Sequence, residues 1–363
     1  MAFSLWTLAV SAVAVAILSF AVPLLLAELF PWRTLWIQRT SRPSVTTKSY
    51  KGRTALVTGA RGAFGSRAAK AFASREIETL VLVDVQDCTG LKDEIEGELA
   101  TAGKLKPTIL VWRIDFMTFA GCKELGEKAR ELKALDHALM TMGMLSFNRR
   151  ESPEGWETSI QVNFLSTALA ALFLLPVLKS SAANPNPPVL TFVTTFGIYP
   201  ASATMSVPKK GPYTKHLSNN KDGMQQAHQY GRSKGLLLYF ARELASRTAR
   251  TNGLRQVTIN SADPGTAWTG LTGPNRAQLI PRLITDFAAR DPQYCANALV
   301  NGVSAGPDSH GKIVMDYHVE GSFPPFMERA SGRVAQQRAW EEARVEFEEK
   351  VPEVRAVYEM LEK

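Results

Sequence analysis

Tyr230 and Lys234 are the two side chains in this sequence best suited to acid–base chemistry. Their spacing of four residues places them on one face of a helix, one turn apart. A nearby ammonium favours the ionised phenol and so brings the tyrosine into the range where it can exchange a proton. Such a pair can protonate or deprotonate an alcohol or carbonyl oxygen while a hydride moves at the adjacent carbon. Because this spacing also arises by chance, the pair needs support from the elements around it.

A glycine-rich turn follows the first predicted strand, residues 54–57. It occupies residues 58–65 and leads into a helical stretch, residues 66–74. Glycines between a strand and a helix let backbone N–H groups approach a pyrophosphate, whose charge the helix N-terminus favours. The turn therefore predicts a dinucleotide site that includes Gly59, Arg61 and Gly65.

Two acidic residues follow the next predicted strands, 80–83 and 108–113. Asp84 lies 25 residues after Gly59, about where a carboxylate binds the adenosine ribose hydroxyls. That carboxylate favours NAD because it repels a 2′-phosphate, whereas Arg61 can pair with such a phosphate and favours NADP. The choice between NAD(H) and NADP(H) therefore stays open. Asp115 either accepts a hydrogen bond from the adenine amino group or caps the following helix.

This order of motifs resembles the short-chain dehydrogenase/reductase family from about residue 53 to residue 316. The turn matches the family's cofactor motif in the form with alanine, here Ala63, at the usual middle glycine. The resemblance implies that Tyr230 is the general acid/base and that Lys234 lowers its pKa and holds the nicotinamide ribose. The closest branch resembles retinol-dehydrogenase-like reductases, which include members used in fungal biosynthetic pathways.

The resemblance also implies roles for three residues in the second half of the domain. Asn163, in an apolar helix predicted from residue 154 to about 179, would kink that helix and support a proton relay beside the cofactor. Thr195 follows the predicted strand 189–193 and would orient the substrate oxygen, with Thr194 as the alternative if the register shifts by one. Thr266 follows a Pro-Gly turn after the predicted strand 256–260 and would lie at the nicotinamide carboxamide, near Thr269.

One departure from the family pattern follows the fourth predicted strand, residues 136–140. The family usually has Asn-Asn-Ala-Gly there, and this chain keeps only the glycine, Gly143. Thr141 is a poorer brace for the strand than asparagine. We therefore expect weaker cofactor binding with the fold unchanged.

Alternating strands and helices predict an α/β fold with a doubly wound parallel sheet, a Rossmann-type domain over residues 53–330. A seventh, edge strand is predicted at residues 312–315, a long polar loop at 197–229 and a variable substrate lid at 267–290. The charged helical tail, residues 331–363, has apolar stripes. We expect the tail to pack on the body or on a partner chain, which leaves a homo-oligomer open.

The first 30 residues are predicted to be a transmembrane anchor. Leu5 to Leu26 is an apolar run long enough to cross a bilayer, and Trp32 and Trp36 follow where an interfacial aromatic belt would lie. A cleaved signal peptide is the alternative, but the run is long and has no charged segment before it. A basic linker, residues 31–52, follows. Because positive residues stay cytoplasmic, we expect a single-pass protein of the endoplasmic reticulum that faces the cytosol.

The charge and cysteine patterns exclude several other classes. Of the net charge of +8, the first 53 residues contribute +5, from six basic residues against Glu28. The rest of the chain has no concentrated basic stripe, so no nucleic-acid partner is predicted. Three distant cysteines suit a reducing compartment, and none of the five histidines has a metal-ligand spacing.

The predicted function is membrane-anchored, NAD(P)-dependent interconversion of an alcohol and a ketone or aldehyde on a lipophilic small molecule, in a secondary-metabolite pathway. One alternative is a catalytically weak cofactor-binding regulator or scaffold, which the departures at Ala63, Thr141 and Thr195 favour. Another is an epimerase or dehydratase of the extended branch. That branch uses the same Tyr/Lys pair but usually needs a larger C-terminal substrate domain than the segment after Gly265.

Overall fold

A central sheet of eight strands runs through the domain, and all of its strand pairs are parallel except β9 with β10. The computed structural model describes residues 32–181, 187–219, 228–248, 250–251, 254–277, 279–321 and 323–362. The predicted anchor, residues 1–30, lies outside them. The strands are β1 (Thr54–Thr58), β2 (Thr79–Asp84), β3 (Thr108–Arg113), β4 (His137–Met140), β5 (Val189–Val193), β6 (Arg250–Thr251), β7 (Leu254–Arg255), β8 (Thr258–Asp263), β9 (Ile313–Met315) and β10 (His318–Val319).

The spatial order of the sheet is β10-β9-β8-β5-β4-β1-β2-β3, and β6 and β7 form a separate hairpin. The chain therefore turns back on itself between β1 and β4. In open parallel sheets, ligands bind outside the carboxyl ends of the strands at such a reversal. The doubly wound parallel sheet that the sequence predicts is confirmed.

Helices cover both faces of the sheet. They are α1 (Trp32–Thr40), α2 (Ala63–Ser74), α3 (Thr89–Thr101), α4 (Phe119–Arg130), α5 (Thr158–Ser180), α6 (Ile198–Ser202), α7 (Tyr213–Ser218), α8 (Gln229–Arg247), α9 (Leu279–Ala288), α10 (Pro292–Val303), α11 (Pro325–Glu328), α12 (Ala330–Lys350) and α13 (Arg355–Glu362). Short 3₁₀ segments occupy Gly273–Ala277, Pro307–Ser309 and Pro352–Val354.

Successive strand residues point to opposite faces and build two apolar cores. Ala55 and Val57 of β1 belong to the core under α2, α3 and α10, whereas Leu56 belongs to the core under α4, α5 and α8. Because both faces are covered, the strands are apolar runs rather than alternating ones. This apolar pattern is why the strands could be predicted from the sequence.

Helix α5 is long and apolar enough to cross a membrane, and within the described part of the chain it is the helix that meets that criterion. Its most apolar stretch is 94% buried inside the protein, between α4 and α8. The helix therefore belongs to the core of the domain. Its residues Gln161–Ser166 form a π-helical turn, a distortion that often marks a functional site.

Two peripheral segments are more ordered than the sequence suggests. The predicted loop 197–229 contains α6 and α7, and the predicted linker 31–52 contains α1 and packs on the body. Asn297 Nδ2 donates to the Pro43 carbonyl at 2.8 Å, and Lys48 Nζ donates to the Ser304 carbonyl at 2.7 Å. The C-terminal tail packs on the body, one of the two predicted alternatives, and the Trp340 ring stacks on Phe240 with centroids 4.9 Å apart.

Candidate active site

The glycine turn between β1 and α2 requires glycine at two positions. Gly59 has φ +63°, a conformation that costs little only for glycine. A Cβ on Gly65 would lie 2.2 Å from the Gly59 carbonyl oxygen, so no side chain fits there. The N-terminus of α2 has no side-chain cap. The turn therefore offers a close backbone approach and a helix N-terminus, which suits a pyrophosphate.

Asp84 and Arg61 lie side by side at the carboxyl end of β2. The Arg61 backbone N–H donates to Asp84 Oδ2 at 3.0 Å, and the Arg61 guanidinium donates to the Asp87 carbonyl at 3.1 Å. The carboxylate that favours NAD and the guanidinium that favours NADP thus both lie at the carboxyl end of β2, where the adenosine ribose is predicted to bind. This geometry leaves both cofactors possible.

Asp115 is exposed in the turn between β3 and α4. Its Oδ1 accepts a hydrogen bond from the Met117 N–H at 2.8 Å. The cap of α4 is Thr118, whose Oγ1 accepts from the Gly121 N–H at 3.2 Å. The helix-cap role considered for Asp115 is therefore wrong, because Thr118 occupies that position. The contact of Asp115 with adenine stays a prediction.

Thr141 braces the two strands at the reversal of the sheet. Its hydroxyl donates to the Thr58 carbonyl, and the Met142 N–H donates to the Thr58 hydroxyl at 3.3 Å. Thr141 therefore does connect the two strands, and the weaker cofactor binding expected from it stays a prediction. The short hydroxyl reaches the carbonyl because the ends of β1 and β4 are paired directly at Thr58 and Met140.

Asn163 joins three parts of the site from the π-helical turn of α5. Its Oδ1 accepts from the Met144 N–H at 2.7 Å, and its Nδ2 donates to the Met144 carbonyl at 2.8 Å. Nδ2 also donates to the Ser233 hydroxyl at 2.9 Å, which in turn donates to the Tyr230 carbonyl at 2.7 Å. The buried amide is therefore fully used, and it ties the end of β4 to the first turns of α8.

Lys234 reaches the same point from α8. A Cβ on Gly143 would lie 3.2 Å from Asn163 Oδ1 and 3.6 Å from Lys234 Nζ. The only family residue kept after β4 is thus the one that leaves room for both side chains. Lys234 is fully buried, and burial lowers its pKa to about 8.

Tyr230 lies half-buried in the first turn of α8. Burial and then the nearby Asp263 carboxylate raise the pKa of its phenol above the ordinary value of 10.0. The lowering of that pKa by Lys234 stays a prediction. An ammonium whose own pKa is lowered by burial is a weaker stabiliser of a phenolate than a solvated one.

The segment after β5 packs tightly against the start of α8. A Cβ on Gly231 would lie 2.3 Å from the Gly197 carbonyl oxygen, so the two backbones touch. Thr195 is half-buried in this segment, and its Oγ1 accepts from the Gly197 N–H at 3.2 Å. Its hydroxyl hydrogen is therefore available to another acceptor. Thr194 is buried, and its hydroxyl has no hydrogen-bond partner among the residues that the structure describes.

Thr194 and Thr195 line a cavity of about 200 Å³ at the carboxyl ends of β5, β8 and β9. Its apolar wall is formed by Ile198, Ile313, Met315, Phe323, Pro324 and Pro325. Its polar wall is formed by Asp263, Glu320, Tyr199 and, from the N-terminal helix, Thr34, besides the two threonines. The cavity therefore has an apolar side and a polar side, and it suits a ligand that carries both kinds of group.

Several charged residues of this region were not predicted from the sequence to belong to the site. Burial raises the pKa of Asp263 to about 6, although the Gly265 N–H and Arg290 oppose the shift. Arg290 forms a buried ion pair with Asp316 at 2.6 Å and donates to the Pro264 carbonyl at 2.8 Å. Neither spacing nor composition identifies this pair, because its members lie 26 residues apart. Arg290 is the last residue of the predicted lid, and Asp316 directly follows the strand predicted at 312–315.

Thr266 lies buried in the turn that this ion pair supports. Its carbonyl accepts from the Arg290 N–H at 2.9 Å. Gly265 has φ +74°, and a Cβ there would meet the Arg290 guanidinium at 3.1 Å. The Pro-Gly turn is therefore fixed by Arg290, which leaves the predicted contact of Thr266 with a nicotinamide as a prediction.

Comparison with known proteins gives consistent matches. A family model described as short chain dehydrogenase matches residues 53–184. A short chain dehydrogenase of Arthrobotrys oligospora is 28% identical over 314 residues, 83% of this chain and 93% of that protein. Short chain dehydrogenase sol3 of Alternaria solani is 28% identical over 275 residues, 74% of this chain and 90% of its own.

Solved structures share the fold. A putative short chain dehydrogenase from Pseudomonas syringae has a TM-score of 0.53 at 22% identity, over 76% of this chain and 98% of its own. RhlG of Pseudomonas aeruginosa, solved as an NADP active-site complex, has a TM-score of 0.51 at 20% identity, over 74% of this chain and 95% of its own. Together with the glycine turn, the Asn163 turn and the Tyr230–Lys234 helix, these matches support membership of the short-chain dehydrogenase/reductase family and an NAD(P)-dependent oxidoreductase.

Proposed function

We propose that this protein is a membrane-anchored oxidoreductase that interconverts an alcohol and a ketone or aldehyde on a lipophilic small molecule. The observation that carries the proposal is the convergence of Asn163 and Lys234 at Gly143, one helical turn from Tyr230. The cavity beside Thr195 has an apolar wall, which supports a lipophilic substrate.

The cofactor region fits a dinucleotide, because its glycine turn excludes side chains and ends in an uncapped helix. Gly59 and Gly65 would border the pyrophosphate, Asp84 or Arg61 the adenosine ribose, and Lys234 the nicotinamide ribose. When bound, the nicotinamide supplies or accepts the hydride. The NADP complex of RhlG supports a nicotinamide cofactor in general, and the choice between NAD(H) and NADP(H) stays open.

The chain's own residues handle the proton and the orientation of the substrate oxygen. Thr195 can donate its hydroxyl hydrogen to that oxygen, because its Oγ1 already accepts from the Gly197 N–H. Tyr230, whose pKa is raised, keeps its proton at neutral pH and can donate it to the oxygen as negative charge develops. Asn163 holds the backbone beside Lys234 and the first turn of α8 in place.

The remaining parts of the proposal rest on the sequence. The apolar run from Leu5 to Leu26 supports a retained anchor, with the domain in the cytosol, in the endoplasmic reticulum membrane. Membership of the retinol-dehydrogenase-like branch and a place in a secondary-metabolite pathway are part of the same proposal. The matches to short chain dehydrogenases from fungi such as Alternaria solani are compatible with them.

Cofactor binding and turnover test the proposal. Purified full-length protein is titrated with NADH and NADPH by fluorescence, and turnover is measured on a panel of lipophilic aldehydes, ketones and alcohols. We expect turnover that Tyr230→Phe abolishes without loss of cofactor binding. Binding without turnover on the whole panel would instead support the regulator or scaffold. Repeating the titration with Asp84→Ala and with Arg61→Ala shows which side chain sets the cofactor preference.

A further inference from the structure

Four large apolar side chains are exposed on two helices that contact each other, α1 and α9. Trp36 is 59% exposed, Leu279 73%, Leu283 58% and Phe287 39%. The three residues of α9 are spaced by four and so lie along one face of that helix. Exposed apolar side chains that share a surface, unlike scattered ones, mark a site of interaction.

The two helices present these side chains together. The Arg39 guanidinium of α1 donates to the Phe287 carbonyl and lies 5.1 Å from the centroid of the Phe287 ring. The opposite sides of the helices face the protein, because Leu35 and Gln38 of α1 and Thr285 of α9 are buried. The apolar surface is therefore the outer side of a packed helix pair.

The border of this surface is basic. Within residues 34–42 and 276–288, the exposed charged side chains are Arg39, Arg42, Arg276, Arg282 and Asp286. The single carboxylate is already engaged, because it lies 3.6 Å from Arg282 and accepts from Trp268 Nε1 at 3.0 Å. Arginines around exposed Trp, Leu and Phe are the composition of a helix that lies in the interface of an anionic membrane.

We propose that α1 and α9 form a membrane-docking surface that seats the catalytic domain on an anionic bilayer, in addition to the transmembrane segment. This docking proposal rests on the proposed transmembrane anchor in one respect, which is that the anchor brings α1 close to the membrane. Five residues, 27–31, separate the apolar run from α1, and they span at most about 20 Å when extended. A domain tethered so closely keeps α1 at the bilayer surface.

A second copy of the chain is a poorer occupant of this surface. In a twofold symmetric dimer the same patch meets itself, so each border of arginines would face the other. The one carboxylate is too few to compensate the four arginines. Anionic lipid headgroups complement that charge, and acyl chains accept the apolar side chains.

This docking also gives the substrate cavity a route from the membrane. Thr34 of α1 lines the cavity with Thr195 and Asp263, while Trp36 of the same helix faces outward. One helix therefore borders both the cavity and the proposed bilayer contact. A lipophilic substrate can pass along α1 and α9 without crossing bulk water.

Depth-dependent fluorescence quenching tests the docking in the full-length protein. Leu283→Cys and a matched control, Leu105→Cys, are labelled with an environment-sensitive fluorophore and reconstituted into phosphatidylcholine vesicles with and without phosphatidylserine. Leu105 is 91% exposed and precedes β3, at the amino edge of the sheet, whereas α9 follows β8 at the carboxyl edge. The three native cysteines are buried and should label slowly.

We expect spin-labelled lipids to quench the label at position 283 severalfold more than the label at 105, and more strongly with phosphatidylserine. Equal quenching at the two positions in protein that floats with the vesicles overturns the docking surface and leaves the anchor intact. Quenching at 283 in protein that high salt removes from the vesicles supports the docking surface and overturns the anchor. A shift at 283 that depends on protein concentration and not on lipid overturns the docking in favour of self-association.

Discussion

The side-chain amide of Asn163 holds both backbone polar groups of Met144, with distances of 2.7 Å to the N–H and 2.8 Å to the carbonyl. This pair fixes the chain just past β4, where Gly143 faces Lys234. The amide replaces hydrogen bonds that a regular helix or strand would have supplied. It therefore links the π-helical turn of α5 to the chain just past β4.

Replacing Asn163 by alanine should reduce both stability and activity. It leaves two partly buried backbone groups of Met144 without this partner, which costs roughly 1–3 kcal/mol in the free energy of unfolding, and it frees the backbone beside Lys234. We expect kcat to fall at least about tenfold. Urea unfolding and steady-state kinetics measure the two effects. The matched control is Asn297→Ala, which removes a buried amide that donates to Pro43 and should lower stability while kcat is kept.

The two threonines after β5 should differ sharply in their effect on turnover. Thr195→Val removes a half-buried hydroxyl that borders the cavity, and we expect kcat to fall about 100-fold. Thr195→Ser keeps the hydroxyl and should retain most of the activity. Thr194→Val removes a buried hydroxyl that has no partner, so activity should be kept and stability unchanged or raised. If Thr194→Val is the inactive variant, the assignment of the substrate hydroxyl is shifted by one residue.

The sequence predicted the sheet well because its strands are buried runs. Residues 108–113 and 189–193 match β3 and β5 at both ends. The prediction of 312–315 as the edge strand is wrong, because β9 lies between β8 and the short strand β10, which was not predicted. The other exception is β8, predicted at 256–260 and found at Thr258–Asp263. Its last residues, Ser261 and Asp263, are polar but buried, so hydrophobicity could not indicate that the strand continues.

Contacts between distant polar residues were not predictable from spacing. The Arg290–Asp316 pair and the position of Gln38, buried and near Asp263, depend on the folded arrangement of the chain. The packing of the predicted linker on the body could not be predicted from its sequence either. Asparagines of α10 hold the linker by donating to its backbone carbonyls at Pro43 and Ser44. Any sequence offers such carbonyls, and only the fold decides which are used.

The glycine turn should tolerate no side chain at its last position. We expect Gly65→Ala to abolish measurable cofactor binding and to lower stability, because its Cβ would lie 2.2 Å from the Gly59 carbonyl oxygen. Gly97→Ala is the control, since nothing lies within 4 Å of a Cβ there. That change in the middle of α3 should raise the free energy of unfolding by about 0.5–1 kcal/mol. Cofactor titration and thermal unfolding of both variants provide the comparison. Tight cofactor binding by Gly65→Ala would contradict the role given to this turn.

Asp263 should make the protein less stable at neutral pH than its asparagine variant. Burial raises the carboxyl pKa from 3.8 to about 6, so between these pH values the folded state holds more protons than the unfolded state. The free energy of unfolding therefore falls as the pH rises through this window, by about 3 kcal/mol in total. Asp263→Asn keeps the acceptor for the Gly265 N–H and removes the charge.

The asparagine variant should accordingly be more stable than the wild type at pH 7.5 and equally stable near pH 3.5, as measured by urea unfolding across that range. The pH dependence of its kcat is a second test. Because the Asp263 carboxylate raises the pKa of Tyr230, removing it should shift the alkaline limb of the kcat profile to lower pH. A stability difference independent of pH, together with an unmoved alkaline limb, would show that Asp263 does not act on the phenol through its charge.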